Sequence, residues 1–119
     1  MNKPVVSLLQ GEEATILMLR GNARADAADL LLEQLLQSAT NKDVLVDWES
    51  AEHVDPCVLQ VLRSFQKLLG NRGFSLSVAK DNPAIREYLR LSGFADDFPL
   101  HTAQSADGRG TKPLRPGGS

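Results

Sequence analysis

The stretch VLVDWESAEHVDPCVLQVL, residues 44–62, decides how this chain folds. Its first part, with Asp43 added, reads as a strand, Asp43 to Trp48, dense in branched apolar side chains. A polar run, Glu49 to His53, interrupts it. Then Asp55-Pro56 opens a helix over residues 56–69. Asp is a preferred N-cap, and its carboxylate is expected to bond the free N–H groups of the first turn. Pro56 falls at the first helical position, where the missing N–H costs nothing and the fixed φ suits the helix. Val58, Val61, Leu62, Phe65, Leu68 and Leu69 recur at helical spacing and define the inward stripe. Gln60, Arg63, Ser64 and Lys67 are left for solvent.

The pattern repeats outward in both directions. Downstream, Gly70-Asn71 stops the helix, and residues 73–79 (GFSLSVA) alternate as a strand, with Phe74, Leu76 and Val78 on one side. Asn82-Pro83 starts a third helix carrying Ile85, Tyr88 and Leu89 inward, and Gly93 closes it. A short fifth strand is expected near residues 98–101. Upstream, residues 5–9 and 14–20 read as two strands joined by the turn Gln10-Gly11-Glu12-Glu13. The second is apolar at every other position on both sides, which predicts a central place. Gly21-Asn22 breaks it, and residues 26–39 follow as a helix with Ala28, Leu31, Leu32, Leu35, Leu36 and Ala39 in phase. No internal repeat is present. The order predicts an α/β domain: a mixed sheet of 4–5 strands, mostly parallel, with the first strand as an antiparallel edge, packed with 3–4 helices.

Residues 1–101 are read as one domain and 102–119 as a disordered tail, because Ser, Gly, Pro, Thr, Lys and Arg replace apolar residues there and only Leu114 is large and apolar. The tail sets Arg109, Lys112 and Arg115 against Asp107, a charge near +2, which leaves the body near −4 within a total of −2. That balance supplies no broad electrostatic attraction for nucleic acid. No apolar run approaches the ~20 residues of a membrane helix, so direct membrane insertion is not expected. The N-terminal apolar stretch is too short for a signal peptide, and the compartment expected is the cytoplasm. Cys57 is the single cysteine, so no intrachain disulfide can form.

Three segments together resemble the STAS domains, the family of the anti-sigma-factor antagonists. In residues 44–62, Asp47 matches the aspartate that ends a strand in that family, Val54-Asp55 the hydrophobic-Asp pair, and Leu59, Val61 and Leu62 the apolar helix positions. Leu19-Arg20-Gly21 before an Ala-Leu helix is similar to the family's opening. Leu89-Arg90-Leu91-Ser92-Gly93-Phe94 with Phe98-Pro99-Leu100 is similar to its close. The resemblance spans about residues 4–101. It implies a non-catalytic protein-binding module, with a kinase-like anti-sigma factor or related signalling protein as partner. In the antagonists a phosphorylated Ser or Thr follows the second aspartate. Here Pro56 stands there and has no acceptor, Cys57 follows, and Val58 replaces the family's Gly. The second reading is a cytoplasmic accessory subunit of a lipid-transport ATP-binding cassette complex. A homodimer is left open.

On this reading the partner-binding residues are Glu49, Glu52, His53, Asp55, Pro56, Cys57, Gln60 and Arg63. Asp47, Glu49, Glu52 and Asp55 come without a nucleophile or metal set, and are read as an acidic docking rim rather than as acid-base catalysts. Cys57 is read as a small packed residue, with a reactive thiol in the first helical turn as the sharper alternative. His53 is read as a solvated loop residue. Trp48 suits a core or an interface equally. His53 and His101 share no metal-ligand spacing with a Cys or His neighbour. No glycine-rich phosphate loop follows a strand, and no cofactor is expected.

Overall fold

The computed structural model describes residues 5–101. The tail reading for 102–119 lies outside those residues. The elements run β1 (Val6–Gln10), β2 (Ala14–Leu19), β3 (Gly21–Ala23), α1 (Ala25–Ser38), β4 (Asp43–Asp47), β5 (Ala51–Val54), α2 (Pro56–Asn71), β6 (Leu76–Lys80) and α3 (Pro83–Ser92), followed by a 3-10 turn at Ala95–Asp97.

Four strands form the main sheet in the order β1-β2-β4-β6. β1 pairs antiparallel with β2, while β2, β4 and β6 run parallel. The antiparallel edge and the central β2 match the sequence reading. β3 and β5 make a separate two-stranded parallel sheet, which the sequence did not suggest. The reason is local: Gly21 and Asn22 read as a breaker, and Gly21 does take a positive φ of 60°, yet the chain resumes pairing at once. The fifth strand expected near residues 98–101 reduces to one bridge between Leu100 and Val78, after the 3-10 turn.

Burial alternates along the central strands. Thr15, Leu17 and Leu19 of β2, Val44 and Val46 of β4, and Leu76 and Val78 of β6 are buried. Their neighbours Ile16, Met18, Leu45 and Ser77 are only half-buried. Side chains alternate between the two faces of a sheet, so the core occupies one face only. Ala28, Leu31 and Leu35 of α1, Val58, Leu59, Leu62, Phe65 and Leu69 of α2, and Ile85 and Leu89 of α3 complete that core. Val61 and Leu68, expected on the inward stripe, lie at its margin, and Leu59 takes a core place instead. Thr15, the buried polar residue of the core, donates its hydroxyl to Gln10 Oε1 at 3.0 Å, and the Gln10 amide donates onward to the Ser38 carbonyl. A buried hydroxyl is thereby satisfied and β1 is tied to the end of α1.

Trp48 is fully buried and stacks edge-on against Phe98 at 5.8 Å. Its indole N–H donates to Asp81 Oδ1 at 2.8 Å. The structure therefore places it in the core, not at an interface.

Candidate functional site at the start of helix α2

The parallel strands β4 and β6 direct the chain into α2 and α3 at the same end of the sheet. Between β4 and α2 lies β5, and its burial pattern is unusual: Ala51 and Val54 are buried while Glu52 and His53 are both exposed. The pairing explains this. Gly21 pairs with Ala51 and Asn22 with His53, so Glu52 has no opposite residue and forms a bulge. A bulge re-aims the side chains around it, and here two successive side chains reach solvent. The loop expected over residues 49–53 is thus a short bulged strand. His53 belongs to it rather than to a solvated loop.

Asp55 sits at the N-cap with extended backbone angles, as expected, but its carboxylate does not cap the helix. Its carbonyl accepts from the N–H groups of Val58 and Leu59 at 3.0 and 3.2 Å. The carboxylate turns instead to His53 Nε2, 2.5 Å away. Pro56 has no N–H to offer, and the bulge puts an imidazole within reach two residues upstream. The His53 ring also lies 5.8 Å from the ring of Tyr88 on α3. Tyr88 therefore borders this site, although its one signal in the sequence is an inward helical phase.

Pro56 begins α2 and is exposed; Cys57 is half-buried and packs against the core, in line with the packing reading. Gln60, Arg63, Ser64 and Lys67 share the solvent face of α2 and line one shallow depression. Arg63 is not free. Its guanidinium lies 5.6 Å from the Phe94 ring centroid, and its Nε is 3.4 Å from Asp97 Oδ2. The face is therefore acidic at the helix start, around Glu52 and Asp55, and basic two turns later, around Arg63 and Lys67.

Glu49 does not join that rim. It lines a separate cleft with Arg20, Asp47, Ser50 and Lys80, beyond the carboxyl ends of β2, β4 and β6. The four acids expected on one surface are thus divided: Asp47 and Glu49 go to this cleft, Glu52 and Asp55 to the start of α2.

Asn82 holds the two regions in register. Its Oδ1 accepts from the N–H groups of Ala84 and Ile85, capping α3 as the sequence predicts. Its amide also donates to the carbonyls of Trp48, Glu49 and Ala51 at 3.3, 3.0 and 2.8 Å. Beside it, Asp81 receives Arg86 Nε at 2.9 Å as well as the Trp48 indole. Burial alone would raise the Asp81 carboxyl, but the Trp48 and Arg86 donors, with the Asn82 backbone, outweigh it and hold the group below its ordinary value. No sequence signal connects residues 81 and 82 to a turn more than thirty positions earlier.

A mixed sheet whose described helices pack on one face, with an exposed helix start after the second parallel β-α turn, defines a small α/β domain. The chain belongs to the STAS-domain family: the family model described as the Mlab STAS domain matches residues 6–102. The fold is that of several solved anti-sigma factor antagonists. A Thermotoga maritima chain assigned to that class superposes with a TM-score of 0.70 at 16% identity, over 82% of this chain and 86% of the other. SpoIIAA in its unphosphorylated form gives 0.67 at 15% identity, over 82% and 88%. An antagonist from Mycobacterium paratuberculosis gives 0.64 at 19% identity, over 81% and 83%. No curated protein matches the sequence. Among the described residues no helix is long and apolar enough to cross a membrane.

Proposed function

We propose that this chain is a non-catalytic protein-docking module of the cytoplasm, and that its partner sits on the start and outer face of α2. The observation that carries this reading is the bulge at Glu52. It turns Glu52 and His53 outward beside an N-cap carboxylate not used for capping. Groups with no role in holding the fold together are presented there on a firmly packed helix. Rim charges of this kind act mainly on association rate and specificity.

The partner class follows from the family. The likeness to the antagonists supports a kinase-like anti-sigma factor or a related signalling protein. Pro56, at the first position of α2, takes the place of the phosphorylated residue, so docking is constitutive or controlled from elsewhere. One observation favours the second reading, an accessory subunit of a lipid-transport ATP-binding cassette complex: the matching family model is that of the Mlab STAS domain.

The test is affinity capture of the native partner, followed by titration of variants. Glu52→Lys and Arg63→Glu should each weaken binding, less so at high salt, with circular dichroism unchanged. Cys57→Ser should leave binding intact. Silent charge reversals together with a loss in Cys57→Ser would move the activity to the thiol. A captured kinase-like ATPase supports the signalling reading, and it should phosphorylate Pro56→Ser but not the parent chain. A captured permease and transport ATPase supports the transporter reading.

A further inference from the structure

β1 is an edge of the main sheet, and the ladder that holds its inner side fixes what its outer side presents. Arg20 donates its N–H to the Val5 carbonyl, and Gly11 donates to the Ala14 carbonyl, both at 2.9 Å. These two pairs extend the register that runs from Val6 with Leu19 to Gln10 with Thr15. Hydrogen-bonded and non-hydrogen-bonded pairs alternate along an antiparallel ladder. Val5, Ser7, Leu9 and Gly11 therefore direct their backbone groups to β2. Val6, Leu8 and Gln10 turn their N–H and C=O groups away from the sheet, and no backbone partner meets them there among the described residues.

Exposure rises along this strand. Val6 is 3% exposed, Leu8 is half-buried, Leu9 is 62% exposed, and Gln10 is exposed. The accessible part of the edge is thus its Leu8–Gln10 half. Strand edges are commonly kept from pairing with another chain by a charge, a proline or a bulge. β1, with the sequence VSLLQ and an unbroken register to β2, has none of the three.

We infer that β1 pairs antiparallel with β1 of a second copy of this chain, about a two-fold axis at Leu9, with Leu8 of each copy hydrogen-bonded to Gln10 of the other. The outward backbone groups belong to the even positions, so only even positions can meet as bonded pairs. Leu9 then faces Leu9 as a non-hydrogen-bonded pair, the arrangement that brings side chains closest. The exposed Leu9 is thereby covered by its own copy. Leu9 is already in line with Ile16, and Ile16 with Leu45, so this apolar row continues into the same row of the second copy. β1 carries no charge, and pairing with itself opposes no like charges. A register centred on Leu8 would instead set Leu9 against Ser7 and would need the backbone of the buried Val6. A closed two-fold contact of this kind is the commonest form of self-association. It uses β1 alone, so its failure would leave the docking reading of α2 where it stands.

The experiment uses the full chain in a Cys57→Ser background, followed across concentration by sedimentation equilibrium and amide hydrogen exchange. The mass should rise toward twice that of the chain. The Leu8 and Gln10 amides should gain protection in step, while the Ser7 and Leu9 amides, bonded to β2, stay protected throughout. Leu9→Lys should return the mass to that of one chain and the Leu8 and Gln10 amides to fast exchange, with circular dichroism unchanged. Leu9→Cys should form a disulfide-linked dimer on mild oxidation. Ser7→Cys and Leu91→Cys, the latter at an exposed position of α3, should not. A chain that stays monomeric, a dimer indifferent to Leu9→Lys, or a link through Ser7→Cys overturns the inference. Protection of Leu8 and Gln10 in a monomer also overturns it, because it assigns the edge to another part of the same chain.

Discussion

Helices α2 and α3 begin with the same two-residue grammar, a capping residue followed by proline, and the structure uses the two starts in opposite ways. Asn82 turns its side chain into the fold. It caps Ala84 and Ile85 and ties three carbonyls of the preceding turn. Asp55 turns its side chain outward to His53 and leaves the helix uncapped by it. Similar local sequences thus make a structural joint in one place and an exposed charge in the other. The difference comes from the surroundings. Asn82 faces the carbonyls of Trp48, Glu49 and Ala51, to which an amide can donate and a carboxylate cannot. Asp55 follows a bulge that delivers an imidazole.

The largest effect should come from removing the joint. Asn82→Ala loses a cap and the two amide protons shared among three carbonyls, and should cost about 2–4 kcal/mol. In a domain this size that is a fall in Tm of order 10–20 °C by calorimetry. A loss below about 1 kcal/mol would mean that the two helix starts do not differ.

The neighbouring Asp81 should give a smaller effect with a defined pH dependence. Its folded-state carboxyl is held low, so its stabilisation is complete above the ordinary carboxylate value and is lost as the pH falls through the depressed one. Asp81→Asn should therefore be less stable than the parent by about 1 kcal/mol at neutral pH, given its half-exposed ion pair with Arg86. The gap should stay flat down to about pH 5 and close below about pH 4. Denaturant melts across that range check it. A gap that widened on acidification would reverse the sign of the argument.

The smallest effect on stability should come from Asp55→Ala. An ordinary N-cap loss costs about 1 kcal/mol, but here the change should stay within about 0.5 kcal/mol. Partner binding should fall nonetheless. A loss of stability equal to that of a normal cap would show that Asp55 closes back on the helix in solution, and the contrast with Asn82 would narrow.

Much of this architecture was legible from period and punctuation. The helices over residues 25–38, 56–71 and 83–92 follow from apolar phase, proline at the first position and Gly93 at the close, which takes a φ of 82°. The four main strands follow from branched apolar runs. β3 and β5 escaped because three or four residues cannot show alternation, and the bulge at Glu52 breaks what alternation there is. The site was legible as a segment but not as a surface: Glu49 belongs to another cleft, Arg63 is held by Phe94 and Asp97, and Tyr88 joins from a distant helix.

The sequence by itself determined which segments are helix or strand, the parallel order they imply and the absence of a hydroxyl at residue 56, because these depend on neighbours a few positions apart. Only the tertiary structure decided that Trp48 is core, that Asp55 pairs with His53 instead of capping, that Asn82 ties the acidic turn to α3, and that the described helices cover one face of the sheet. Each of these rests on contacts whose partners are fixed by packing: a hydrogen-bonding group takes the nearest satisfying partner the fold brings to it, and local sequence does not say which partner that is.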